Sequence, residues 1–142
     1  MPDALTRDNL GFLLAKASQR WNELLHERFA AAGYPDVRPA YGSLLIPLYE
    51  EDGLRQGELA RRARLSKQTL TTMARALERA GLVERRPDPE DARATLVFLT
   101  DRAREFRPVA ERVLAELDEL AAQSLPLRTP SLRRALQALV EL

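Results

Sequence analysis

The chain has 142 residues, of which 45% are hydrophobic and 30% are charged. This size and composition suit one compact domain, with or without a helical arm, and exclude an intrinsically disordered protein. The complete absence of cysteine excludes disulfides, thiolate metal sites and a cysteine nucleophile. The single histidine, His26, cannot form a histidine-rich metal cluster, and a place on a helix surface or at a pocket edge explains it well. We therefore expect neither a metal nor another cofactor.

The formal net charge is only +1, but the charges are unevenly distributed along the chain. Residues 55–104 contain twelve Lys and Arg against seven Asp and Glu, whereas the remainder contains ten against fourteen. Arginine-rich helices often have nothing more than a solvated charged face. The asymmetry nevertheless favours a basic segment that faces a polyanion.

No part of the sequence predicts secretion or membrane insertion. The initial MPDALTRDNL lacks the apolar core of a signal peptide. The most apolar run, LLIPLY, covers residues 44–49 and contains a proline, so it is far too short to span a bilayer. We expect a cytoplasmic protein without a membrane partner.

The first predicted element is a long amphipathic helix over residues 8–32, which Gly33 is placed to end. Its apolar stripe has a spacing close to a heptad repeat and consists of Leu10, Leu14, Ala17, Trp21 and Leu24. A helix of this length needs a large partner surface, and a second copy of the chain would supply one.

A second helical stretch is predicted over residues 38–50, with Pro39 in its first turn. Pro47 should kink or shorten this helix, because proline removes a backbone hydrogen bond in a helix interior. Two helices separated by a break at Leu65-Ser66 follow. Ser66 is a good N-cap for the second of them, and Gly81 is a good C-terminal stop, so the arrangement is a helix-turn-helix.

Two strands are predicted next, over residues 82–86 and 95–99. Thr100 then caps a long helix in which Pro108 predicts a bend, and Thr129-Pro130 opens a short terminal helix. The predicted fold is mainly α with a small two-stranded β wing, in the order α-α-α-α-β-β-α-α.

The second helix of the helix-turn-helix has a polar face suited to DNA. It contains no acid before Glu78, and its side chains can contact base edges or phosphates. The members of this face are Lys67, Gln68, Thr71, Thr72 and Arg75. An ordinary solvated face is the alternative, but the acid-free run from Leu59 onward argues against it.

The segment between the two strands carries charge and two prolines but no glycine, which is unusual for a simple turn. In a winged helix such a hairpin can insert an arginine into the narrow, negative minor groove. Arg93 is the candidate for insertion, and Asp91 can accept hydrogen bonds that stiffen its base. The alternative is a loop in which acids and arginines only pair with each other.

The sequence QGELARRARLSKQTLTTMARALERAGLVERRPDPEDARATLVFLT resembles the winged helix-turn-helix of the multiple antibiotic resistance regulator (MarR) family. The matching features are ELA in the first helix of the motif, LERAGLVER, DPEDARA and the Leu-Thr before the next helix. The most specific of them is the Asp-x-Arg at residues 91–93. The resemblance implies a homodimer that binds pseudo-palindromic double-stranded DNA and represses transcription. It also implies release from DNA by a small aromatic or phenolic effector.

By position, the resemblance implies DNA contacts from the five side chains of the helix face, from Arg85 and Arg86 to the backbone, and from Arg93, organised by Asp91. It divides the chain into a helical dimerisation region, residues 1–37 and 101–142, and a DNA-binding lobe, residues 38–100. This chain departs from the family at Arg55-Gln56-Gly57, where Thr or Ser often caps the first helix of the motif, so that cap should be weak.

In the family, the effector pocket is built from the first, second and fifth helices. The resemblance therefore suggests a pocket lined by Trp21, His26, Tyr41 and Phe106. These residues also suit a plain hydrophobic core or a dimer interface, and the sequence leaves both interpretations open.

Other functional classes fit the sequence less well. The chain has no G-x-S-x-G, P-loop or H-E-x-x-H motif, so we predict that it is not an enzyme. A winged-helix module that binds proteins instead of DNA is the alternative. That class would be expected to have a neutral or acidic recognition helix and a shortened wing, and this chain has neither.

Overall fold

A computed structural model of the chain describes residues 5–142. Six helices and three strands follow one another, with a short 3-10 turn at Pro39–Tyr41 before the second helix. The elements are α1 (Leu10–Ala31), α2 (Gly42–Glu50), β1 (Leu54–Arg55), α3 (Gln56–Ala63), α4 (Lys67–Arg79), β2 (Val83–Asp88), β3 (Asp91–Leu99), α5 (Asp101–Ser124) and α6 (Thr129–Val140). The strands form one antiparallel sheet in the order β1-β3-β2.

The predicted fold class, mainly helical with a small β wing, is confirmed. Local signals set the ends of the motif helices as expected. The Ser66 hydroxyl accepts a hydrogen bond from the Thr69 amide at 3.1 Å and caps α4. After α4, Gly81 has a φ of +73°, and the Leu82 amide bonds back to the Leu77 carbonyl at 2.9 Å. This is a Schellman stop.

The wing sheet has one strand more than the sequence predicted. The two residues of β1 lie opposite Val97 and Leu96 of β3. A strand of two residues shows no alternating pattern, which is why it cannot be predicted from sequence. Leu54 is buried, so this short strand also closes one edge of the lobe core.

Two helix starts differ from the prediction. The Asn9 side chain accepts a hydrogen bond from the Phe12 amide at 3.2 Å, so α1 begins at Leu10 and not at Asp8. The stretch predicted to begin at residue 38 opens with the 3-10 turn before α2, which contains Pro47 and ends at Glu50. The start of α3 has no side-chain cap, as expected from the departure at Arg55.

One hydrophobic core joins the lobe to the long helices. Phe29 of α1 and Phe106 of α5 meet edge-on, with 4.9 Å between ring centroids. The predicted dimerisation region includes residues 1–4, which lie outside the described residues. No helix within residues 5–142 is both long and apolar enough to cross a membrane.

Candidate nucleic-acid interface

Helix α4 has two chemically distinct faces. Leu70, Ala74 and Leu77 are buried in the core. The other face exposes predicted DNA-binding residues, namely Lys67, Gln68, Thr72 and Arg75, and Thr71 lies half-buried beside them. The 3.6-residue period therefore puts the core-forming residues on one side and hydrogen-bond donors on the other.

The unneutralised positive charge of residues 55–104 is concentrated on this helix. Within the described chain, Lys67, Arg75 and Arg79 have no carboxylate within 4 Å, whereas the other cations of the segment all do. On α3, hydrogen bonds from Arg61 and then Arg62 lower the pKa of Glu58 from 4.5 to about 2. Glu58 thus stays ionised and offsets both arginines.

Arg85 and Arg86, predicted to contact the DNA backbone, are engaged within the protein. Arg85 lies 3.0 Å from Glu78 and lowers the pKa of that carboxyl. Arg86 lies 2.7 Å from Glu84, and its guanidinium stacks 4.6 Å from the centre of the Phe98 ring. Both side chains lie on the wing, but each would have to leave an acid to meet a phosphate.

The wing turn is shorter than predicted, and Arg93 lies on strand β3 instead of in the turn. Pro87 of β2 lies opposite Thr95, but the next residue, Asp88, lies opposite Asp91. Residues 92–94 therefore have no partner on β2 and form a bulge, a feature that redirects side chains. The Arg93 side chain at its centre is 93% exposed. Pro87 is compatible with β2 because this is an edge strand.

Asp91 holds the bulge in the manner expected from the sequence. Its Oδ1 accepts hydrogen bonds from the Arg93 backbone amide at 3.0 Å and from Arg93 Nε at 3.4 Å. The second contact is long and exposed, so it leaves the guanidinium able to meet an anion.

Two contacts at this site were not predicted. The buried Asp88 carboxylate lies 2.7 Å from Arg55 Nη2. The Gln56 amide donates to the Thr71 hydroxyl at 3.0 Å, between α3 and α4. The only sequence signal for either was the unusual Arg55-Gln56 pair at the start of α3.

A cleft of about 540 Å³ separates the wing from α3 and α4. Its walls include Arg55, Gln56, Lys67, Thr71, Arg93 and Thr95. The structure therefore brings Lys67, Thr71 and Arg93 to one concave surface. A site of this shape, with basic groups on two sides, can accommodate a strand of nucleic-acid backbone.

The four predicted effector-binding residues lie elsewhere. Phe106 is 2% exposed, and its ring lies 4.9 Å from those of both Phe29 and Tyr34, so it fills the core. His26 is exposed on α1, and Trp21 and Tyr41 are half-buried against the core. The pocket stays a prediction. In residues 5–142, no group of three or more His, Asp or Glu is arranged to hold a metal ion.

Comparison with known sequences identifies relatives of one kind. The MarR family model matches residues 39–95. The transcriptional regulator AdcR of Streptococcus pneumoniae is 33% identical over 100 residues, which are 68% of this chain and 68% of AdcR. The HTH-type regulator YdgJ of Bacillus subtilis is 42% identical over 62 residues, 44% of this chain and 38% of YdgJ. These relatives are transcriptional regulators and not enzymes.

Solved structures show the same architecture. A probable transcriptional regulator from Pseudomonas aeruginosa aligns with a TM-score of 0.80 and 28% identity, over 93% of this chain and 97% of its own. The transcriptional repressor CouR, bound to a 23-mer DNA duplex, aligns with a TM-score of 0.73 and 26% identity, over 98% of this chain and 97% of its own. PcaV of Streptomyces coelicolor, in complex with its natural ligand, shares the fold at 22% identity and a TM-score of 0.77, over 99% of this chain and 96% of its own.

Proposed function

Because the chain belongs to the MarR family of DNA-binding, winged-helix transcriptional regulators, we propose that it is a homodimeric repressor that binds a pseudo-palindromic operator. In this proposal, α4 enters the major groove and Arg93 enters the adjacent minor groove. The observation that carries the proposal is the concentration of unpaired cations on α4, next to the exposed Arg93 on the bulge.

Each predicted contact has a chemical role. Lys67, at the start of α4, suits a phosphate, and the helix N-terminus there contains no acid in its first turn. Base contacts come from the exposed side chains further along the helix, namely Gln68, Thr72 and Arg75, together with Thr71. Asp91 orients Arg93. When DNA binds, Arg85 leaves Glu78 and Arg86 leaves Glu84, and each contacts a phosphate instead.

The dimer is proposed to form through residues 1–37 and 101–142, and the DNA-binding lobe comprises residues 38–100. Uncovered apolar surface on the helical region supports this division. Helix α6 has no buried residue, although its sequence is amphipathic, and Leu136 and Val140 on it are exposed. Leu10 and Leu13, near the start of α1, are exposed as well. Such surface favours burial against a partner.

Release by a small aromatic or phenolic effector is the last part of the proposal, with Trp21, His26, Tyr41 and Phe106 as its candidate contacts. Trp21 is the single tryptophan, so its fluorescence reports on this region alone. A panel of phenolic acids is expected to contain one that quenches Trp21 saturably and releases DNA over the same concentration range. Quenching without release of DNA would mean that the compound binds near Trp21 but does not control DNA binding. That result would contradict release by an effector.

The central experiment selects binding sites from a random duplex library and then measures the affinity of the selected site by fluorescence anisotropy. Arg93→Ala is compared with Arg112→Ala, which removes an exposed arginine of α5. We expect Arg93→Ala to weaken binding by about 1–3 kcal/mol and Arg112→Ala to have little effect. The logarithm of the binding constant should fall with the logarithm of salt concentration by about 0.9 per phosphate contact.

The same experiment distinguishes the alternative class. A folded protein that binds no duplex in a salt-dependent manner would be a protein-interaction module and not a DNA-binding repressor. A reporter gene placed behind the selected operator then tests the direction of regulation. Expression that rises in the presence of the protein would contradict repression while leaving DNA binding intact.

A further inference from the structure

We propose that Arg55 and Asp88 are positioning residues for DNA binding. Their ion pair fixes the wing relative to α3 and α4, so that Arg93 meets the minor groove while α4 lies in the major groove. The inference rests on the proposed mode of DNA binding, but it concerns two residues that need not touch DNA.

Asp88 is the one buried charged side chain among residues 5–142, with 6% of its surface exposed. Its Oδ2 lies 2.7 Å from Arg55 Nη2, and its Oδ1 accepts a hydrogen bond from the Glu90 amide at 2.9 Å. A buried carboxylate is strongly destabilising unless it is paired and hydrogen-bonded. The local conformation of the wing turn therefore depends on the Arg55 guanidinium.

The location of the pair explains its effect on Arg93. Asp88 ends β2 at the register break and lies opposite Asp91, the residue that holds the Arg93 amide. Arg55 belongs to β1, on the other side of β3, and directly precedes α3. The ion pair thus joins the two edge strands beside the bulge and connects both to the helix-turn-helix.

The same pair accounts for the departure of this chain at the start of α3. Arg55 is the N-cap residue, and its side chain makes no cap hydrogen bond. The guanidinium of Arg55 instead contacts Asp88 of the wing, and about half of the Arg55 side chain is exposed. A cap that stabilises one helix has been replaced by a contact that orients two parts of the DNA-binding surface.

Asp88→Asn preserves the shape of the side chain and removes its charge. Two explanations predict opposite changes in the DNA affinity of this variant. Removing a carboxylate near DNA should strengthen binding if only net charge matters. The proposal instead predicts that affinity for the selected operator falls about tenfold. It also predicts that Arg93→Ala, which weakens binding by the wild type about fivefold or more, weakens binding by Asp88→Asn less than about threefold.

The matched control is Glu90→Gln, which removes an exposed carboxylate from the adjacent wing turn. It should leave affinity unchanged or raise it, and Arg93→Ala should cost the same in its background as in the wild type. If Asp88→Asn unfolds at the assay temperature, Arg55→Lys tests the same coupling, because it keeps the charge but not the guanidinium geometry. It should lower the effect of Arg93→Ala in the same way.

Four results are decisive. Unchanged or tighter binding by Asp88→Asn would overturn the inference, as would an undiminished effect of Arg93→Ala in the folded variant. A wild-type protein that selects no operator would overturn the proposed function, and the inference with it. Weaker binding together with loss of the Arg93 effect, at an unchanged circular-dichroism spectrum, would establish positioning.

Discussion

The hydroxyl of Thr71 on α4 accepts a hydrogen bond from the Gln56 amide at 3.0 Å and donates one to the Lys67 carbonyl at 2.8 Å. Its proton and one of its two lone pairs are therefore engaged within the protein. The methyl group of Thr71 takes part in neither hydrogen bond. In a major groove, a methyl group suits contact with the methyl of thymine.

Two substitutions at Thr71 separate the methyl group from the hydroxyl. Thr71→Val keeps the methyl and should retain operator affinity within about twofold, although stability should fall by about 0.5–1.5 kcal/mol because the Gln56 amide loses its acceptor. Thr71→Ser keeps the hydroxyl and should lose about 0.8 kcal/mol of binding energy, the contribution of one buried methyl. Anisotropy and chemical denaturation measure the two effects. The reverse order of affinities would show that the hydroxyl contacts the DNA.

Two glycines of the lobe make a matched pair for stability. Gly53 has a φ of +70°, and an added Cβ would lie 2.7 Å from Phe98 Cε1, whereas a Cβ on Gly57 would meet nothing within 4 Å. Gly53→Ala should lower the free energy of unfolding by about 2–4 kcal/mol, from backbone strain and overpacking. Gly57→Ala should raise it by a few tenths to about 1 kcal/mol. Urea denaturation tests both, and equal effects would contradict the assigned turn.

Local and distant interactions differ in how far the sequence predicts them. Ser66, Gly81 and Thr100 act within a few residues of themselves, so each helix boundary that they set is visible in the sequence. The bulge at residues 92–94 is not, because only the pairing register of β3 against β2 defines it. The contact between Arg55 and Asp88 depends on how three strands assemble.

The proposed dimer predicts different effects for two exposed apolar residues. Leu136 on α6 is 42% exposed, and Ile46 on α2 of the lobe is 55% exposed. Leu136→Glu would place a charge in the apolar interface, so it should raise the dimer dissociation constant at least about tenfold. Ile46→Glu should leave the protein dimeric. Analytical ultracentrifugation over a concentration series measures both, and a dimer unaffected by Leu136→Glu would exclude α6 from the interface.

An ion pair between the α1–α2 loop and the start of α5 predicts how stability depends on pH. The Asp36 carboxylate accepts hydrogen bonds from Arg102 Nη1 at 2.9 Å and Nη2 at 2.8 Å. These bonds lower the pKa of Asp36 from its ordinary value of 3.8 and outweigh the effect of partial burial. Arg102 also donates to the Ala80 carbonyl at the end of α4. The pair therefore links the end of α4 to the α1–α2 loop and to the start of α5.

Since the pKa of Asp36 is lower in the folded protein than in the unfolded chain, its contribution is complete above about pH 4. That contribution is lost as the pH falls through the pKa of Asp36 in the folded protein.

The Asp36 side chain is 48% exposed, so solvent screening limits the contribution to about 0.5–1 kcal/mol. Asp36→Asn should be less stable than the wild type by that amount at pH 7, and the difference should be smaller at pH 3. Glu105→Gln, which removes a carboxylate without a basic partner within 4 Å in residues 5–142, is the control for general charge effects. Urea denaturation at both pH values measures the differences, and a deficit of Asp36→Asn that is undiminished in acid would mean that the ionised carboxylate is not its source.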